Sequence, residues 1–118
     1  MKWGTCSPSD IDGVLELNQH VLFIEDKDFG TEHQLATKQD FVTQLPRGQA
    51  LLFNTLCIAG NQSVLVIDGP RDRPRSALSW RTGTVESFAG TDAERQKQLV
   101  AFIVLWAEHV LSKIVMKK

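Results

Sequence analysis

The sequence predicts an α+β fold: a three- to four-stranded, mainly antiparallel sheet packed by helices, with a long apolar helix at the C-terminus. Three observations lead there. A hydroxyl followed three residues later by an acid occurs at Ser7-Pro8-Ser9-Asp10, Thr37-Lys38-Gln39-Asp40 and Thr91-Asp92-Ala93-Glu94. Each is a helix start, because the hydroxyl caps a free amide of the first turn and the acid favours the positive end of the helix. Short apolar runs broken by Gly, Asn and Pro fill the middle of the chain, as strands and turns require. Leu99–Ala107 is a nearly continuous apolar stretch.

The elements follow in order. Residues 2–6 form a short strand. Residues 8–23 form a first helix, with Ile11, Val14, Leu15, Leu17, Val21 and Leu22 recurring at three- and four-residue steps. Glu25–Ala36, polar and acidic, forms a loop. A short helix over 38–45 turns Phe41, Val42 and Leu45 inward and stops at Pro46. Ala50–Ala59, turn residues 60–62 and Ser63–Asp68 make a β-hairpin, its first strand apolar on both alternations and covered on both faces. A third strand over 76–88 changes register at Gly83, which predicts a bulge. The last helix spans 92–116, and apolar side chains cover most of its circumference. It therefore sits either at the centre of the domain or on a homodimer seam through Leu99, Phe102, Ile103, Trp106 and Val110.

The totals bound the function classes. The 118 residues read as a single domain, 1–118, long enough to bury roughly two-thirds of its unfolded surface without a metal or disulfide. Residues 1–40 carry net −5 and residues 41–118 net +4, for an overall −1. Such a balance does not point to nucleic acid. Two unpaired cysteines, Cys6 and Cys57, and the polar N-terminus predict reduced thiols in the cytoplasm. Cys6 reads as an inert strand-end thiol and Cys57 as part of the core. No apolar run approaches the ~20 residues a membrane span needs.

The chemistry-bearing candidates are few. Arg71, Arg73 and Arg75 alternate with Asp72 and Pro74 in Gly69–Ser76, and Arg81 follows on the next strand. Guanidinium forks hold phosphate or carboxylate through paired hydrogen bonds, so the four form an anion-binding candidate. A solvated connection is the plainer reading, because Gly69, Pro70 and Pro74 already explain a tight turn. Residues 25–33 are rich in acids, but counting from Asp26 puts Thr31 and Thr37 where a calcium loop needs glycine and glutamate. Nothing demands a zinc site at Glu32 and His33, and no metal or cofactor is expected. The chain lacks a nucleophile elbow, a Walker loop and a dinucleotide fingerprint.

The expected order of strand, helix, helix, hairpin, strand and helix, with Ser9-Asp10-Ile11-Asp12-Gly13-Val14 opening the first helix, resembles the first two-thirds of the GNAT-type N-acetyltransferases. The resemblance spans about residues 3–115 and is one of element order. In that family a loop of pattern R/Q-x-x-G-x-G/A cradles coenzyme A pyrophosphate at a helix start. The matching stretch here, Phe88–Gln98, has no glycine after Gly90, and Asp92 and Glu94 oppose phosphate. No catalytic residue is carried across. Two functions remain open. One is a small non-catalytic binding or protein-interaction domain, homodimeric, of the kind found among prokaryotic accessory proteins. The other is a small acyltransferase-like enzyme, or a binder of an anionic ligand through the Arg71–Arg75 loop.

Overall fold

The computed structural model describes residues 13–30, 35–70 and 72–116, with the backbone alone for 113–116. The expected strand at 2–6, the first turns of the expected helix at 8–23, and Cys6, Glu32, His33 and Arg71 lie outside the described residues. The protein is α+β. Its elements are β1 (Gly13–Leu17), β2 (His20–Lys27), α1 (Lys38–Gln44), α2 (Arg47–Leu56), β3 (Gln62–Asp68), β4 (Ser76–Ser79), β5 (Thr84–Ser87) and α3 (Asp92–Met116). The sheet has five strands in the order β1-β2-β3-β4-β5. It is mixed: β2 and β3 run parallel, and every other neighbouring pair is antiparallel. The expected three or four strands thus undercount it.

Three expectations are corrected. Residues 13–23 belong to a β-hairpin, and the expected helix is absent there. Asn18 and Gln19 both take positive φ, 49° and 67°, the geometry of a two-residue turn whose twist matches its flanking strands. The turn is held by Glu16, whose Oε1 accepts from the Gln19 amide at 2.9 Å, and by Asn61, whose Nδ2 donates to the Gln19 carbonyl at 2.9 Å. Most of the expected strand over 50–59 is α2, which buries Gln49, Leu52, Phe53 and Leu56 at helical spacing. Pro46 ends α1 and serves as the N-cap position of α2, a site where its missing amide hydrogen costs nothing. The bulge expected at Gly83 is a turn between β4 and β5, with Gly83 at φ 75°. With a hairpin in place of a helix over 13–23, the element order of the described residues is not the one expected for an acetyltransferase-like domain.

The two other helix starts stand as the capping logic predicts. The Asp40 amide donates to Thr37 Oγ1 at 3.2 Å, and Asp40 Oδ2 accepts from the Thr37 amide at 3.0 Å. The same reciprocal pair joins Thr91 and Glu94, at 3.2 and 3.0 Å.

The core has two parts, one on each face of the sheet. On one face, Phe41 and Leu45 of the α1 segment and Leu52, Phe53 and Leu56 of α2 pack on Phe23, Val64, Val66, Leu78 and Trp80. On the other, Phe102, Leu99, Ile103 and Trp106 of α3 pack with Leu22, Leu65, Ile67, Ala77 and Phe88. Burial on both faces explains why Val64–Asp68 is buried without interruption. The result is three layers, with the sheet between α1–α2 and α3. Among the described residues, no helix is long and apolar enough to cross a membrane.

Candidate functional site

The arginine-rich connection joins β3 to β4. Gly69 holds φ +117°, and a Cβ there would stand 2.8 Å from both the Arg73 carbonyl oxygen and the Arg75 nitrogen. Only glycine fits so close an approach. Beside it, Arg75 forks onto Asp68, donating from Nε and Nη2 at 3.2 and 3.1 Å. Its Nη2 also donates to Asp28. Asp68 is buried and accepts the Phe29 amide as well, at 3.0 Å. Arg73 donates through Nε to Asp92 at the start of α3, at 2.9 Å. The guanidiniums of Arg73 and Arg75 thus meet carboxylates of this chain, and they tie the ends of β2 and β3 and the start of α3 to the loop. Arg81 follows the far end of β4. Its Nε donates to the Gln62 carbonyl at 3.1 Å, and its Nη2 donates to the carbonyls of Ala59, at 2.5 Å, and Gln62. The structure does not gather Arg73, Arg75 and Arg81 into one pocket.

These contacts make stability depend on pH. The Arg75 guanidinium, and then the Gly30 amide, hold Asp28 below its ordinary value of 3.8. Capping amides do the same for Asp40, and Thr91 does so for Glu94, ordinarily at 4.5. A depressed carboxylate contributes stability that is fully present above the unfolded value and is lost as pH falls through the folded one. The melting temperature is therefore expected to hold from neutrality to about pH 5 and to fall below it. Calorimetry on Asp28→Asn should show a shallower acid limb, and an identical limb would remove the Arg75 contact from the account.

Of the expected interface residues, Phe102 and Val110 are buried, and Leu99, Ile103 and Trp106 are half-buried against the sheet. They form the contact of α3 with its own domain. Other large apolar residues of the helix are exposed: Val100, Val104, Leu105 and Leu111 at 57, 44, 60 and 45%. The helix is therefore an outer layer, with one face covered and the other bare. Sequence reasoning saw apolar residues all round, but only the sheet's position divides them into two sets.

A cavity of about 220 Å³ opens between α3 and the sheet. Leu22, Leu65, Phe102, Ile103 and Trp106 make its walls. Ser63, Ser79, Thr82, Thr84, Arg81 and His109 stand around it. Sequence reading missed this site, because its residues come from β2, β3, the β4–β5 hairpin and α3, with no local spacing to mark them. On the opposite layer, a shallower dimple of about 170 Å³ is lined by Lys38, Asn54, Cys57, Ile58, Trp80 and Arg81. Cys57 lies there as the C-cap of α2, half-buried, and not in a core strand as expected. Burial pushes its thiol up from the usual value, against the opposing pull of Arg81 and Lys38. Among the described residues, no group of three or more His, Cys, Asp or Glu side chains is placed to hold a metal ion.

Comparison with known proteins adds no relative. No family model matches the chain, and neither curated proteins nor solved structures include a match.

Proposed function

We propose that this chain is a small non-catalytic binding domain that works as a homodimer, pairing α3 against α3 in antiparallel fashion. One observation carries the reading: the bare face of α3 is complementary to itself. Lys97, Val100, Ala101, Val104 and Glu108 lie on the side of the helix turned from the sheet, at three- and four-residue steps, and the exposed Leu105 stands at the border between that side and the cavity. Two copies related by a two-fold axis near the middle of this stretch place Lys97 opposite the partner's Glu108, and Glu108 opposite the partner's Lys97. Val100, Val104 and Leu105 then close over one another between the two ion pairs. An isologous contact of this kind needs one patch that matches itself. The ion pairs contribute little energy but set the direction of pairing.

The other open reading, an anionic ligand on the arginine loop, has less support, because Arg73 and Arg75 already hold carboxylates. Sedimentation equilibrium at on the order of tens of micromolar tests the dimer. The wild-type chain should run as a dimer, and Val104→Lys as a folded monomer with unchanged circular dichroism. Glu108→Lys should weaken pairing, and adding Lys97→Glu should restore it. A monomeric wild-type chain overturns the proposal.

A further inference from the structure

We propose that the cavity between α3 and the sheet is a binding site for a small monocarboxylic acid with an apolar body. The inference goes beyond the pairing of helices and stands without it: the cavity is lined mainly by the sheet-facing side of α3 and shares Leu105 alone with the proposed seam.

Size comes first. The cavity holds about 220 Å³. Liquid water takes about 30 Å³ per molecule, so the space equals roughly seven waters, or an organic guest of about ten non-hydrogen atoms. Its walls are Leu22, Leu65, Phe102, Ile103 and Trp106, which offer water few hydrogen bonds and reward an apolar guest that displaces it. Trp106 supplies a flat aromatic side and the sheet residues a branched aliphatic one.

The polar groups then choose the head. Among the described residues, the titratable ones lining the cavity, Arg81 and His109, are basic, and no carboxylate lines it. The hydroxyls of Ser63, Ser79, Thr82 and Thr84 add donors around them. Described lining residues that offer donors and the Arg81 charge, and among them no acid, favour an acceptor-only anion, which for a guest of this size is a carboxylate. Arg81 is already fixed in place through Nε and Nη2, its bonds to the Ala59 and Gln62 carbonyls. Nη1 is the guanidinium nitrogen these bonds leave over, and a side chain anchored in this way loses less freedom when that nitrogen takes up one carboxylate oxygen. Thr82 and Thr84 are likewise joined, Oγ1 to Oγ1 at 2.9 Å. The site therefore has an apolar interior and a pre-positioned polar end, the division of labour that small-molecule sites show.

Calorimetric titration with three probes of one chain length, octanoate, octanol and octylamine, tests the assignment. Octanoate should bind, octanol about tenfold more weakly, and octylamine not measurably. Thr84→Phe, on the exposed edge strand, should fill the cavity and abolish octanoate binding while leaving the circular dichroism unchanged. Arg81→Gln should remove the preference for octanoate over octanol. Because Arg81 also caps carbonyls, its variant is read through the ratio of the two affinities and not through binding alone. In spectra of the wild-type chain, octanoate should shift the Trp106 indole signal and leave that of Trp80 unmoved. Equal binding of the three probes, no binding of octanoate, or octanoate binding that survives Thr84→Phe would overturn the proposal.

Discussion

Trp80→Ala is expected to lower the free energy of unfolding by about 3–5 kcal/mol, the largest loss foreseen for one substitution. Trp80 is 2% exposed, directly after β4. Its ring meets Phe53 edge to face at 5.1 Å, its Nε1 donates to Asn54 Oδ1 at 2.9 Å, and the Lys38 ammonium stands 4.6 Å from the ring centre. Lys38 also donates to the Trp80 carbonyl at 2.9 Å. One side chain thus joins the sheet to both α1 and α2. Truncation removes a large buried ring where Phe53 and Leu78 have little room to collapse. Trp80→Phe keeps most of the apolar burial and loses the indole N–H, so about 1–2 kcal/mol is expected. Urea titration reads both. A loss below ~1 kcal/mol for the alanine variant would mean that α1 and α2 are held to the sheet by something else.

The second large effect is expected at Asp68. Its carboxylate is 3% exposed and takes hydrogen bonds from both prongs of Arg75 and from the Phe29 amide. Asp68→Ala leaves that amide without its acceptor and the arginine with Asp28 alone of the two carboxylates. Removing one member of a buried pair costs about 3 kcal/mol or more, because the desolvated charge stays behind. Removing both is milder. The double variant Asp68→Ala with Arg75→Met should therefore recover a good part of the loss. Simple addition of the two single losses would show that the fork contributes nothing as a pair.

Capping chemistry explains which parts of this fold were readable in advance. Thr37 with Asp40 and Thr91 with Glu94 are local signals, complete within four residues, and both helices begin where those residues put them. The hairpin of β1 and β2 was hidden, because Val14, Leu15, Leu17, Val21 and Leu22 fit a helical stripe as well as two strands. The deciding feature is the positive φ of Asn18 and Gln19, and asparagine and glutamine are weaker advertisements for that turn than a glycine would be. Residues 50–56 failed for the opposite reason. Leu51, Leu52, Phe53 and Leu56 satisfy either period, and the parallel pairing of β2 with β3 made a covering helix necessary. Of the site residues, the arginines were visible as a charge pattern, but their partners, Asp28, Asp68 and Asp92, are set by tertiary structure. The acidic first third and the basic remainder meet in the bond between Asp28 and Arg75.

The parallel register of the two central strands also governs how the molecule assembles. Val21 pairs with Gln62, about forty positions further along the chain, whereas the β1–β2 and β4–β5 hairpins close over a few residues. Bringing distant segments together costs chain entropy before any contact repays it. Hairpins form in microseconds, so the two outer ribbons are ready early, and the rate of folding is set by their meeting across the middle. Lengthening the α1–α2 crossover would slow that encounter while leaving the finished architecture in place.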